Sequence, residues 1–184
     1  MEKDLPLLSH EDIYSGKLLS LFVEKVKAPS GTVQIREIVK HPGGAVVIGL
    51  FPDETLLLIR QYRFAVGSWL WELPAGKLDF SEDPLHAAIR EFNEETGYAA
   101  VKFSKLAHIY TTPGFCSEIL HIFLATGLTK IPGGQKLEES EQTLTVHRFS
   151  LSKVLEMIAQ GEIMDGKTIC GVLLVAQQLH KHSM

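Results

Sequence analysis

Cysteine is scarce in this 184-residue chain: only Cys116 and Cys170 occur, far apart. That spacing holds no thiolate pattern for a metal and gives little support for a disulfide-stapled secreted domain. No apolar run approaches the about 20 residues of a membrane span. The opening stretch, MEKDLPLLSHED, is acidic and lacks the apolar core of a secretory signal. Basic residues are not in excess either. The formal net charge is −4, which argues against a general nucleic-acid binder. Internal repeats and low-complexity segments are missing. These absences predict a cytoplasmic, soluble protein with neither membrane nor nucleic acid as a partner.

What is present suits a folded domain with a sizeable core: 45% of residues are hydrophobic and 22% charged. The N-terminal third alternates apolar and polar residues, as in Leu19, Leu21, Val23 and again in Val33, Ile35, with the turn signal Pro29-Ser30-Gly31 between. This predicts an antiparallel hairpin. Pro42-Gly43-Gly44 then breaks the chain. Residues 1–44 therefore read as a small N-terminal sheet and 45–184 as the main domain. Strands are expected over Ala45–Leu50, Leu56–Gln61, Val101–Tyr110, Ile119–Thr126 and Thr143–Phe149. Helices are expected over 84–96, about 151–160 and 167–181. A polar, acidic loop spans 130–142. The mixture indicates an α+β fold.

The helix over 84–96 has clear ends. Asp83 is a good N-cap, Pro84 suits the first position, and Gly97 suits the residue after the last turn. Leu85, Ala88, Ile89 and Phe92 define its expected buried stripe. Glu91, Glu94 and Glu95 are expected to point away from it. Close like-charge pairs cost roughly 0.2–0.5 kcal/mol each, and the helix dipole disfavours anions in the last turn. A solvated acidic face is the commoner reading of an acidic helix. Here the placement is unfavourable twice over, so a positive group is expected opposite. Hard divalent cations bind such carboxylates.

The wider spacing is more specific. Gly76, Glu82, Arg90-Glu91, Glu94-Glu95 and Gly97 stand at the spacing of the Nudix box. A chance match at seven such positions is on the order of one in a billion if each were a free choice among twenty. The chain thus resembles the Nudix hydrolases, which cleave nucleoside diphosphates linked to another moiety. Phe92 and Tyr98 stand at the box's apolar positions, where aliphatic residues are more usual. The flanking stretches RQYRFAVGSWLWELPAGKLD and TTPGFCSEILHIFLATGL look like the ADP-ribose pyrophosphatase branch, and Pro113 stands sixteen residues past Gly97, as the branch's marker proline does. The resemblance implies a mixed α/β/α sandwich, hydrolysis of ADP-ribose to AMP and ribose 5-phosphate, dependence on Mg²⁺ or Mn²⁺, and a homodimer whose N-terminal sheet contacts the partner.

Site residues follow from the same resemblance. Glu91 and Glu95 match the family's principal metal ligands, and Glu94 a nearby or water-mediated one. Ala75 stands where a backbone carbonyl also binds metal. Glu82 matches a further carboxylate, either behind the ligands or on an additional ion. Arg90 is expected to orient the glutamates during catalysis. Arg63 looks like the arginine that contacts the diphosphate. Glu118 resembles a residue near the terminal ribose, and Glu37 one at the substrate's edge. The general base is open. Aligning on the strand Val146–Phe149 puts Gln142 or Ser140 at the family's glutamate positions, whereas a one-residue insertion restores Glu139 and Glu141. Two alternatives to ADP-ribose hydrolysis stand beside it. One is the same chemistry on another nucleoside diphosphate sugar or a dinucleoside polyphosphate. The other is a non-catalytic module that senses a nucleotide.

Overall fold

The computed structural model describes residues 5–182. They divide into two compact units: the described part of residues 1–43 with 110–119, and residues 44–109 with the described part of 120–184.

The first unit is a three-stranded antiparallel sheet of β1 (Leu7–Ser15), β2 (Ser20–Lys27) and β3 (Val33–Lys40), in that order. The expected hairpin is β2–β3, in register from Ser20 opposite Lys40 to Lys27 opposite Val33. Its turn closes through Gly31, whose φ of +88° a side chain would oppose. β1 was not foreseen. Its sequence, LLSHEDIYS, does not alternate cleanly, and every residue of the strand is exposed. Two register shifts interrupt its pairing with β2. Residues 115–117 run beside Val39 and exchange two backbone hydrogen bonds with it.

The second unit holds β4 (Gly44–Gly49), β5 (Thr55–Arg63), β6 (Ser68–Glu72), β7 (Ala75–Lys77), α1 (Pro84–Thr96), β8 (Tyr98–Tyr110), β9 (Ile119–Lys130), β10 (Thr145–Ser150), α2 (Leu151–Ala159) and α3 (Gly166–His182). The strands form two sheets, β10–β5–β6 and β7–β4–β9–β8. β4 and β5 follow one another yet lie in different sheets, with a bridge between Leu50 and Leu56 at the turn that connects them. β6 and β7 are short and were not foreseen. Among the described residues no helix is long and apolar enough to cross a membrane.

The core explains why β4 reads as an unbroken apolar run. Val46 and Ile48 pack with Leu56, Leu58, Ile122 and residues of α2 and α3. Ala45 and Val47 pack with Leu57, Phe123 and Ala87, Ala88 and Phe92 of α1. Both faces of the strand are covered, so neither needs polar residues. β4 pairs in parallel with β9 and antiparallel with β7, setting Gly76 beside Ala45 and Ala75 beside Val46.

α1 begins and ends where its sequence predicts. Asp83 accepts from the amides of Leu85 and His86, and Gly97 adopts the left-handed conformation at φ +70°. The expected buried stripe needs correction. Leu85 is exposed and Ile89 only half-buried, while Ala87, Ala88, Glu91, Phe92, Glu95 and Thr96 are the buried residues. Two of the glutamates thus share the inward side with the alanines and Phe92. The reason is packing: small residues at 87 and 88 let α1 approach β4 and β7 closely.

Candidate active site

The carboxylates gather where α1 crosses β7. Glu95 is 2% exposed and Glu91 8%. The Ala75 amide donates to Glu95 Oε2 at 2.9 Å, fixing that carboxylate to the strand. Glu91 lies against Gly76 so tightly that a β-carbon on the glycine would fall 1.9 Å from its carboxyl carbon. Glycine is required there by contact rather than by backbone angle.

Arg90 organises the outer side. Its Nε and Nη2 donate to the two oxygens of Glu82 at 3.1 and 3.0 Å. Its Nη1 donates to Glu91 at 2.7 Å and stands 3.6 Å from Glu94. Glu82 also accepts from the Asp79 amide at 3.0 Å, closing the turn before α1. A planar guanidinium fork can hold several carboxylates at once.

These contacts leave an imbalance of charge. Arg90 holds Glu82 below the usual carboxylate range. Burial pushes Glu91 up despite Arg90, with Glu141 and Glu94 adding to the rise. Burial pushes Glu95 well above its ordinary value, and Glu91 and Glu141 push the same way. Among the described residues no lysine or arginine forms an ion pair with Glu95. A buried carboxylate without a cation is costly, and a hard divalent cation with oxygen ligands meets that need. Among the described residues no three His, Cys, Asp or Glu side chains are gathered into a complete ligand cluster. Mg²⁺ needs none, because it is commonly held by one or two carboxylates together with substrate phosphates. The buried carboxylates of Glu91 and Glu95 are oxygen donors of the kind such an ion takes.

The loop after β9 is tied to the end of α1. Ile131 N donates to the Gly97 carbonyl at 2.8 Å, Lys136 N to Glu94 O at 2.9 Å, and Gln135 Nε2 to Glu95 O at 2.6 Å. These bonds satisfy carbonyls that the end of the helix would otherwise leave open. An open depression of about 370 Å³ lies beside this junction, lined by Arg90, Asn93, Glu94, Ile131, Gly134 and Lys136. Farther along, Glu139–Glu141 form a single 3₁₀ turn in which Glu141 Oε2 accepts from the Glu138 amide at 3.1 Å. The two candidate bases now differ. Glu141 is half-buried and raises the pKa of both Glu91 and Glu95, so its charge lies within their reach. Glu139 is exposed.

Arg63 stands near these acids, Glu95 being one of the charges acting on it. Its Nε and Nη2 bind the two oxygens of Glu72, each at 2.7 Å. Sequence reasoning passed over Glu72: alternation along a strand turns an acid between two apolar neighbours, here Trp71 and Leu73, to the opposite face from them, so no local signal marks it as buried. Glu118 and Glu37 belong to the first unit. Glu118 accepts from Thr111 Oγ1 at 2.7 Å and lies 3.3 Å from His41 Nδ1. Glu37 is exposed on β3 opposite Val23.

The NUDIX domain model matches residues 40–169, most of the chain. The chain belongs to the NUDIX domain family. Among its curated relatives, the ADP-ribose pyrophosphatase of Bacillus subtilis (strain 168) is 39% identical over 161 residues, 88% of this chain and 86% of that protein. The methanol dehydrogenase activator of Bacillus methanolicus is 38% identical over 173 residues, 94% of this chain and 93% of its own. The crystal structure of an ADP compounds hydrolase shares the fold with a TM-score of 0.83 at 21% identity, covering 98% of this chain and 96% of that one. The α+β NUDIX sandwich read from the sequence is therefore the fold observed.

Proposed function

We propose that the protein hydrolyses the pyrophosphate bond of ADP-ribose to AMP and ribose 5-phosphate, using Mg²⁺ or Mn²⁺. The observation that carries this reading is the buried Glu91–Glu95 pair set against Ala75 and Gly76. It supplies oxygen ligands and excess negative charge at the place where the box glutamates of a NUDIX enzyme are expected. Its likeness to the B. subtilis ADP-ribose pyrophosphatase supports the choice of substrate. The bound cation would neutralise phosphate charge and acidify the attacking water.

The chain's own residues divide the remaining work. Glu91 and Glu95, with Glu94 and the Ala75 carbonyl, would hold the cation. Glu82 and Arg90 keep Glu91 in place. Arg63 binds the diphosphate. Glu141 accepts the proton of the water whose oxygen forms the new P–O bond, while the bond between phosphorus and the bridging oxygen breaks. Glu139 is the alternative base.

We further propose that residues 1–44 serve as a dimerisation sheet. The exposed apolar residues Leu7, Leu8, Ile13, Tyr14, Val33 and Ile35 support it, since apolar surface of that extent on a small sheet usually meets a partner. Cys116 and Cys170 are free thiols, which accords with action in the cytoplasm.

A second reading takes its support from the methanol dehydrogenase activator, under which this chain would act on a dehydrogenase. Hydrolysis rates for ADP-ribose, NADH, GDP-mannose and a diadenosine polyphosphate, measured side by side, test the substrate. ADP-ribose should be cleaved fastest. Preference for another member, or activation of a methanol dehydrogenase without ADP-ribose turnover, would overturn the proposal.

A further inference from the structure

Arg63 is held from behind by a network in which the acids of α1 take no direct part. Glu72, its bidentate partner, is 1% exposed. The Nζ of Lys167, in the first turn of α3, donates to the same Glu72 Oε2 that receives Arg63 Nη2. Lys167 also pairs with Asp165 at 3.0 Å, and its side chain is 11% exposed. Asp165 accepts from the Thr168 amide at 3.0 Å and from the Thr168 hydroxyl. That hydroxyl in turn accepts from the Leu73 amide at 2.8 Å. β5, β6 and α3 therefore meet on one carboxylate, and the residue after Glu72 is tied to the same helical turn.

Packing alone does not explain this arrangement. A buried ion network is expensive to desolvate, and apolar residues of similar volume often fill such a site at least as well. The network does have a consequence at the site. Two of the three guanidinium nitrogens are committed to Glu72, which fixes the plane of the fork and leaves Nη1 for a ligand. The Arg63 side chain is still 42% exposed, so a ligand can reach it. Lys167 shares the charge of Glu72. Without it the carboxylate would rest on Arg63 alone and would neutralise the guanidinium more fully, weakening its hold on an incoming anion.

We infer that Glu72 and Lys167 are positioning residues that fix Arg63 for binding the substrate's diphosphate. The inference rests on the role given to Arg63 in the proposed function. It adds a residue of the C-terminal helix, outside the box, to the determinants of substrate affinity.

The test uses ADP, which carries the diphosphate, with its dissociation constant measured by calorimetry in the presence of Mg²⁺. Lys167→Met should weaken ADP binding about tenfold, and Lys167→Arg should restore most of it. In the background of Arg63→Met, Lys167→Met should cost nothing further, because coupled residues are not additive. In the unmutated protein the Arg63 Nε–H should be protected from solvent exchange by nitrogen-15 NMR. In turnover assays Lys167→Met should raise KM more than it lowers kcat. Wild-type affinity in Lys167→Met, an equal loss with and without Arg63, a freely exchanging Nε–H, or no ADP binding by the wild type would each overturn the inference. If the ADP results hold while none of the four assay compounds is hydrolysed, the inference stands and the ADP-ribose reading falls.

Discussion

Gly76 and Glu91 are in such close contact that the glycine has no room for a side chain: a β-carbon would meet the glutamate at 1.9 Å. The strand β7 therefore determines where the carboxylate on α1 sits. Gly76→Ala should displace Glu91, cost about 1–3 kcal/mol by overpacking, and reduce kcat at least about tenfold, as loss of a ligand's support typically does. Thermal unfolding and steady-state rates check both parts. A variant with wild-type kcat would show that Glu91 need not be held there.

Glu141 is half-buried and acts electrostatically on Glu91 and Glu95, whereas Glu139 is exposed. Glu141→Gln should lower kcat by about 10²–10⁴-fold, the usual cost of losing a general base, with little change in KM. Glu139→Gln should do less. If both variants and their double mutant keep wild-type kcat, the base lies elsewhere.

The acid limb of stability should carry the mark of Asp53. Its carboxylate accepts from Thr55 and takes two bonds from Arg148 Nη2, at 2.9 and 2.7 Å. The Thr55 hydroxyl and then Arg148 hold it down from 3.8 to about 2. A carboxyl lowered in the folded state stabilises above its unfolded pKa, and that contribution disappears as pH falls through the folded one. Asp53→Asn should therefore lower Tm at pH 7, with the deficit closing between pH 3.8 and about 2. A deficit that persists unchanged to pH 2 would contradict the assignment.

Legibility in the sequence differed by element. Both ends of α1 were readable, because Asp83, Pro84 and Gly97 act through local backbone chemistry. Its buried face was misread, because periodicity assumes that acids turn outward, whereas Glu91 and Glu95 turn inward. β1 escaped because all its residues are exposed and its pattern is irregular. The Glu72–Lys167 contact joins positions 95 residues apart, a distance at which no local pattern reports a pairing. The box glutamates were visible because their spacing is local to one helix.

The N-terminal sheet should mediate a symmetric dimer. Sedimentation of the full chain should give twice the monomer mass, and deletion of residues 1–40 should yield a monomer of low activity or an insoluble chain. A soluble, fully active truncated monomer would rule this out.

The most direct measurement compares wild type and Glu95→Gln on ADP-ribose, with and without Mg²⁺, following AMP and ribose 5-phosphate together. The wild type should release the two products in equal amounts only when the cation is present. Glu95→Gln should lose most turnover, yet without cation it should unfold at a temperature no lower than wild type, since it removes an uncompensated buried charge. Cation should raise the Tm of the wild type and leave that of the variant nearly unchanged. Near-normal hydrolysis by Glu95→Gln, or wild-type turnover that does not depend on a divalent cation, would contradict the account.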